Sequence, residues 1–110
     1  MRRPHSYSPT ALEALEVLGL QVAVARRQRR WTSAELAARV GISVTTLRNV
    51  ERGEPTVAAG ILFEVATLLG VPLFGDGETM RRERLEHQRE IFALLPARVR
   101  KGQETVDDDF

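Results

Sequence analysis

The chain of 110 residues contains no cysteine, few aromatic residues and a single lysine. Without cysteine, neither a disulfide framework nor a thiolate metal site can form. No apolar run approaches the roughly 18 residues that a membrane span needs, and the first nine residues lack the apolar core of a signal peptide. We therefore expect a cytoplasmic protein with one small folded domain, a tail, no metal and no cofactor.

The net charge of +1 hides an uneven distribution of charge along the chain. Residues 1–56 carry nine arginines and five glutamates, whereas residues 57–110 carry seven basic and ten acidic groups. A basic front half is a candidate electrostatic footprint for a polyanion. Fifteen of the sixteen basic residues are arginine, which can hold a phosphate through two parallel hydrogen bonds. A coding bias toward high GC content is the alternative explanation of this preference.

Helical patterns dominate and alternating β-branched residues are nearly absent, which predicts an all-α fold. Capping residues set three helix starts: Thr32, with Glu35 completing a capping box, then Ser43, then Thr56. The patterns predict helices over about 10–30, 33–40, 44–52, 57–69 and 76–95. They divide the chain into a flexible arm (1–9), a folded domain (10–75), a charged helix (76–96) and a polar tail (97–110).

The predicted helix over 57–69 is apolar on nearly every side. Such a helix must be buried on more than one side, and we do not expect a chain of this size to surround it alone. A subunit interface is therefore predicted on this helix, formed by Ile61, Leu62, Val65 and Leu69.

The segment from Ser33 to Gly53 has the spacing of two short helices joined by a tight turn. A small residue, Ala37, precedes Gly41 by four positions, and Leu47 and Val50 follow at the spacing of a buried helical stripe. This is the helix-turn-helix pattern, whose second helix enters the DNA major groove. An ordinary corner of a helical bundle is the alternative. The predicted buried residues are Leu36, Ala37, Val40, Ile42, Leu47 and Val50.

Residues 18–75 resemble the Xre/Cro and phage-repressor class of helix-turn-helix domains, through "RRQRRWTSAELAARVGIS", "TTLRNVERG" and "LLGVPLFG". The resemblance implies a five-helix, all-α domain in which Arg26 pairs with Glu51 and ties the first helix to the recognition helix. Pairing is also what a buried charge requires. Two unpaired surface charges are the alternative.

The same resemblance places the base-reading positions of the recognition helix on Val44, Thr45, Arg48 and Asn49. Their chemistry fits, because Arg can grip guanine, Asn can grip adenine, and Val and Thr can touch a thymine methyl. The phosphate-binding positions fall on Thr32, Ser33, Arg52 and Thr56. The class often has Gln at Ser33 and Val44, so its operators do not transfer to this chain.

A narrower resemblance extends through "ERGEPTVAAGILFEVATLLGVPLFG", the charged helix, "LLPARVR" and the terminal "VDDDF". These segments resemble HipB-like antitoxins, the DNA-binding partners of HipA-type serine/threonine kinase toxins. The resemblance implies a homodimer that represses its own operon from an inverted-repeat operator and holds the kinase inactive. The charged helix and the tail through Phe110 become candidates for kinase contact, and a solvated tail is the alternative.

Two other functions fit the sequence. One is a standalone Xre-type transcription regulator without a toxin, and the other is a protein-binding adaptor that has kept the fold and lost DNA binding. An enzyme is not expected, because no nucleophile–base pair, phosphate-binding loop or metal cluster is apparent. On the leading hypothesis the protein is associated with the nucleoid when it is bound to DNA.

Overall fold

The structure is a computed structural model that describes residues 5–74 and 77–99, with only the backbone of Glu78. The described residues form five α-helices and no strand, which confirms the all-α prediction. The chain divides into two compact units, Met1–Gly75 and Asp76–Phe110. The first contains α1 (Pro9–Gln28), α2 (Ser33–Val40), α3 (Val44–Glu51) and α4 (Ala59–Leu68), and the second contains α5 (Glu78–Leu94).

Side-chain caps begin the first three helices. Ser8 accepts a hydrogen bond from the Ala11 N–H, and Pro9 stands in the first turn of α1, where no backbone donor is needed. Thr32 and Glu35 form the predicted capping box at α2, and Ser43 caps α3. The helix thus begins within the stretch that was predicted as an arm, and residues 1–4 of that arm lie outside the described residues.

Each of the four helices of the first unit is followed within two residues by a residue with positive φ. Gly41, Gly53 and Gly70 follow α2, α3 and α4 at φ of 87°, 75° and 72°, and Arg30 follows α1 at 59°. After each of these residues, the next backbone N–H donates to a carbonyl five residues back, which closes the helix end. Glycine adopts this conformation freely, whereas Arg30 carries a Cβ into it.

The core of the first unit lies where α1, α2, α3 and α4 meet. Leu36, Ala37, Leu47 and Val50 are buried as predicted, while Val40 and Ile42 are partly buried against them. The remaining buried core residues come from α1, α4 and the segment after α4, and they are Val22, Leu62, Val65, Ala66, Leu69 and Val71.

Two predictions for the fourth helix are wrong. Thr56 does not cap it, because α4 begins at Ala59 after Ala58, which offers no side-chain acceptor. Leu62, Val65 and Leu69 do not form an exposed interface, because they are 8%, 0% and 3% exposed and pack in the core of their own chain. The chain covers one side of α4, which packs against α1 and α2, and the opposite side with Phe63, Glu64 and Leu68 remains exposed. Of the four predicted interface residues only Ile61 retains moderate exposure.

The first unit has four α-helices where the family resemblance implies five. Leu73 and Phe74 are not part of a helix, and Phe74 has a positive φ of 57°. In the second unit, the described side chains of α5 are exposed apart from the half-buried Arg81. The predicted tail beyond residue 99 lies outside the described residues.

Candidate nucleic-acid interface

The turn between α2 and α3 sets the direction of the second helix. Gly41 adopts φ of 87°, and the N–H groups of Gly41 and Ile42 both donate to the Ala37 carbonyl, at 2.8 and 3.0 Å. Ser43 then starts α3 by accepting from the Thr46 N–H at 3.0 Å, and its hydroxyl also contacts Thr46 Oγ1 at 2.9 Å. Because these hydrogen bonds close both the turn after α2 and the first turn of α3, they set the orientation of α3 on the surface of the domain.

One side of α3 is buried and the opposite side is accessible. Leu47 and Val50 are 0% and 1% exposed and hold α3 on the core. The four predicted base-reading residues share the other side: Thr45 and Arg48 are exposed, and Val44 and Asn49 are half-buried. We call this surface the outer face of α3. It presents a guanidinium, an amide, a hydroxyl and two apolar contact points on one short rod.

Arg52 lies against the outer face of α3 rather than apart from it. Its Nη2 donates to Asn49 Oδ1 at 2.6 Å. This hydrogen bond fixes the Asn49 amide plane, and an amide oxygen retains a second lone pair for another donor. The predicted phosphate-binding residue and the predicted adenine-reading residue therefore form one hydrogen-bonded unit.

The predicted phosphate-binding residues at helix starts differ in availability. At α2, the Thr32 N–H donates to Glu35 Oε1 at 2.8 Å and the Thr32 hydroxyl accepts the Glu35 N–H at 3.1 Å. The capping box thus occupies the Thr32 backbone donor and places a carboxylate at the helix start. This carboxylate would compete with a phosphate for the donors there, which the family resemblance does not reveal. Half-buried Ser33 follows with a hydroxyl and a backbone N–H that lacks an intrahelical acceptor.

The N-terminus of α4 has no side-chain cap. The Ala58 side chain has no acceptor for the N–H groups of the first turn, and residues 58–60 are exposed. The first N–H groups of α4 are therefore open to an anion. Thr56, which is also exposed, precedes this turn without capping it.

A bidentate ion pair joins α1 to the end of α3. Arg26 Nε donates to Glu51 Oε2 at 2.8 Å and Nη2 donates to Oε1 at 3.2 Å, while Nη1 donates to the Trp31 carbonyl at 2.9 Å. The two side chains are 10% and 14% exposed. The hydrogen bond to Glu51 raises the pKa of Arg26 above its usual value, so the guanidinium stays charged. The pair fixes α3 relative to α1 without using any group on the outer face.

A close backbone approach between α1 and α3, at Gly19, is a feature that the sequence alone did not predict. A Cβ at Gly19 would lie 2.6 Å from the Val50 carbonyl oxygen and 2.7 Å from that of Glu51. Only glycine therefore allows the end of α3 to seat directly on α1. A glycine on the core side of a long helix was the available signal.

The corner between α1 and α2 holds a second unpredicted arrangement. The Arg39 guanidinium lies 4.2 Å from the centroid of the Trp31 ring, and the Arg29 guanidinium lies 5.6 Å from it. Trp31 is half-buried and packs against the core. Its ring holds two cations in place through the attraction of the aromatic face.

Residues 22–75 match the family model described as helix-turn-helix. The match spans α2, α3 and α4, and the geometry of α2 and α3 is that of a helix-turn-helix. Among solved structures, a HipB variant in complex with an O2 20mer shares 25% sequence identity with this chain. The similarity covers 70% of this chain and 99% of that one, with a TM-score of 0.49. No curated protein matches.

None of the helices in the described residues combines the length and apolarity that crossing a membrane requires. Within the same residues, no three acidic or histidine side chains are grouped so as to hold a metal ion.

Proposed function

We propose that the protein is a transcriptional repressor that reads DNA with the outer face of α3. The observation that carries the proposal is that α3 is held in place by its inner side while the side chains able to contact bases stay accessible on its outer face. Leu47, Val50 and the Arg26–Glu51 pair hold the inner side of α3, and Arg48 and Asn49 remain on its outer face. An arginine and an asparagine are the two side chains best suited to bidentate recognition of guanine and adenine.

Contacts to the DNA backbone fix the register of this rod. We assign them to Ser33 at the start of α2, to Thr32 through its hydroxyl, to Arg52, and to Thr56 with the uncapped start of α4. These groups carry or adjoin free donors, and such contacts position a protein on the duplex without reading its sequence. Arg52 has a second role in the proposal, because its hydrogen bond holds the Asn49 amide in a fixed orientation.

A titration of duplex DNA tests this assignment, with the promoter of the protein's own gene compared with a random duplex of equal length. Arg48→Ala is expected to lose about 1–3 kcal/mol of discrimination between the two, and Arg52→Ala is expected to weaken binding to both. Glu64→Ala, an exposed change on α4, is the matched control and should leave both affinities unchanged. The assignment fails if Arg48→Ala discriminates as well as the parent does.

The salt dependence of the same titration separates DNA binding from an adaptor role. Phosphate contacts release counterions, so the affinity for DNA must fall as salt rises. An affinity that does not change with salt would favour a protein-binding adaptor that has kept this fold.

We further propose that the protein acts as a homodimer on an inverted repeat and is the antitoxin of a HipA-like kinase. Two recognition helices about 34 Å apart would enter successive major grooves of one duplex. The exposed apolar side chains of α5 support the proposal of a protein partner, since Leu85 is 48% exposed and Phe92 is 79% exposed. A helix with so little buried surface gains stability when a partner covers it.

Co-expression with the neighbouring gene, followed by affinity purification, tests the antitoxin proposal. A kinase-like protein is expected to co-purify, and Phe92→Glu is expected to reduce its recovery. If no kinase is encoded nearby or none co-purifies, the antitoxin proposal is wrong and the protein is a standalone regulator. In either case the DNA titration above is unaffected, and a DNA-bound protein would be nucleoid-associated.

A further inference from the structure

The first helix carries a second apolar surface on the side away from the core. Val17, Leu20 and Val24 are 52%, 54% and 52% exposed. Their spacing of three and four residues places them on one side of α1, about 130° around the helix from Gly19, which contacts α3. We call these three residues the α1 stripe. Because it points away from the contact with α3, a partner on the stripe leaves that contact intact.

The apolar surface continues from the α1 stripe into two shallow grooves. Val17 and Gln21 line both grooves together with Pro72. One of the grooves ends at Phe63 and Phe74, whose ring centroids lie 6.1 Å apart, and Phe74 is 71% exposed. A continuous apolar surface on a small domain marks an interaction site.

The pattern of the α1 stripe fits another α-helix as its occupant. Val17 and Val24 are seven residues apart with Leu20 between them, which is the spacing of the a and d positions in a coiled coil. The flanking positions on the grooved side, Ala14, Gln21 and Gln28, are all uncharged and exposed. On this side of the stripe, an identical helix can therefore pack without charge repulsion along the seam.

The charges at the two ends of the stripe select an antiparallel arrangement of identical helices. Glu13 precedes Leu20 by seven residues and Arg27 follows it by seven. Both side chains are exposed, and neither forms an ion pair within the described part of the chain. In a parallel pair each charge would face its own copy. In an antiparallel pair with its two-fold axis at Leu20, Glu13 of each chain lies level with Arg27 of the other.

We propose that the α1 stripe is a self-association surface on which α1 of a second copy of this chain packs in antiparallel orientation. The two-fold axis passes beside Leu20, Val17 and Val24 pack on either side of it, and the Glu13–Arg27 pairs close both ends. The inference rests on the proposed function in one respect, since it supplies the interface for the proposed homodimer. It replaces the α4 interface that the buried positions of Leu62, Val65 and Leu69 exclude.

Sedimentation velocity on the full chain without DNA, over a range of concentrations, tests the proposal. The wild type is expected to sediment as a dimer, with twice the chain mass of 12.3 kDa. Leu20→Glu should raise the dimer dissociation constant at least tenfold, because it places two like charges at the two-fold axis. Ala11→Glu adds the same charge to another side of α1 and should leave the dimer unchanged. Circular dichroism of each variant verifies that the helical fold is retained.

A charge exchange tests the antiparallel register itself. Glu13→Arg should weaken the dimer about three- to tenfold, because two exposed ion pairs are lost and replaced by repulsion. Adding Arg27→Glu to the same chain should restore wild-type dimerisation. The proposal is overturned if the wild type is monomeric at every concentration, if Leu20→Glu dimerises normally, or if the double variant is no tighter than Glu13→Arg.

The outcome for self-association can be distinguished from the outcome for DNA binding. A monomeric Leu20→Glu variant that still binds a half-site duplex in a salt-dependent manner supports both proposals. A wild type that dimerises through the α1 stripe but binds no DNA supports the interface and refutes the proposed function.

Discussion

Replacing Gly19 with alanine has two opposing effects on stability, because it raises helix propensity and disturbs the packing of α3 on α1. In an exposed helix interior, alanine is about 1 kcal/mol more favourable than glycine. Here the new Cβ would lie 2.6 Å from the Val50 oxygen and 2.7 Å from the Glu51 oxygen, and both are backbone atoms. To restore an ordinary contact of about 3.4 Å, the end of α3 must move away from α1 by about 0.8 Å.

That displacement has a consequence at the ion pair. The contact between Arg26 Nη2 and Glu51 Oε1 is already 3.2 Å long, and a further shift takes it beyond hydrogen-bonding distance. Overpacking a well-packed contact costs about 1–3 kcal/mol, and a clash with two backbone oxygens belongs at the upper end of that range. After subtracting the gain in propensity, we expect Gly19→Ala to lower the free energy of unfolding by about 2 kcal/mol.

Urea and thermal unfolding followed by circular dichroism measure this change. For a domain of this size, a loss of about 2 kcal/mol lowers Tm by about 8–16 °C. Gly60→Ala is the matched control, because Gly60 lies in α4 and a Cβ there meets nothing within 4 Å. It should be neutral or stabilising by up to about 1 kcal/mol. If Gly19→Ala proves as stable as the wild type, the close seating of α3 on α1 is refuted.

Two further stability predictions follow from the same contacts. Glu51→Gln leaves the Arg26 charge without its partner and should cost about 3 kcal/mol in urea unfolding, whereas Glu64→Gln on the exposed side of α4 should change stability by less than about 0.5 kcal/mol. Because the Arg26 pKa is raised in the folded state, the stability from this charge is fully present below the pKa of an unfolded arginine, so the cost should be equal at pH 7 and pH 10. Arg30→Gly should raise Tm by about 4–8 °C, since it relieves about 1 kcal/mol of left-handed strain at φ of 59°. The same change at Arg29, whose φ is −85°, should give no gain, and equal effects at the two positions would contradict the strain argument.

Local signals predicted the elements that position the candidate interface. The hydroxyls of Thr32 and Ser43 and the glycine at position 41 each act within a few residues, so the starts of α2 and α3 and the turn between them were readable in the sequence. The buried stripe of Leu36, Leu47 and Val50 follows from helical spacing alone.

Features that depend on the packing of distant segments were not predictable in this way. Hydropathy shows that α4 is apolar on most sides, but whether its own chain or a second one covers Val65 depends on where α1 and α2 lie. The role of Gly19 depends on the approach of carbonyls some thirty residues later in the chain. The hydrogen bond from Arg52 to Asn49 and the stacking of Arg39 on Trp31 depend on side-chain conformations that no spacing rule specifies.

Methylation interference on the bound duplex tests most directly whether Arg48 on the outer face of α3 reads a base. Methylation of guanine N7 removes the acceptor that an arginine fork needs in the major groove. The account predicts that methylating a guanine in each half-site weakens binding by the wild type and makes no difference to binding by Arg48→Ala. An identical interference pattern for the two proteins would show that Arg48 touches no guanine and that another surface reads the DNA.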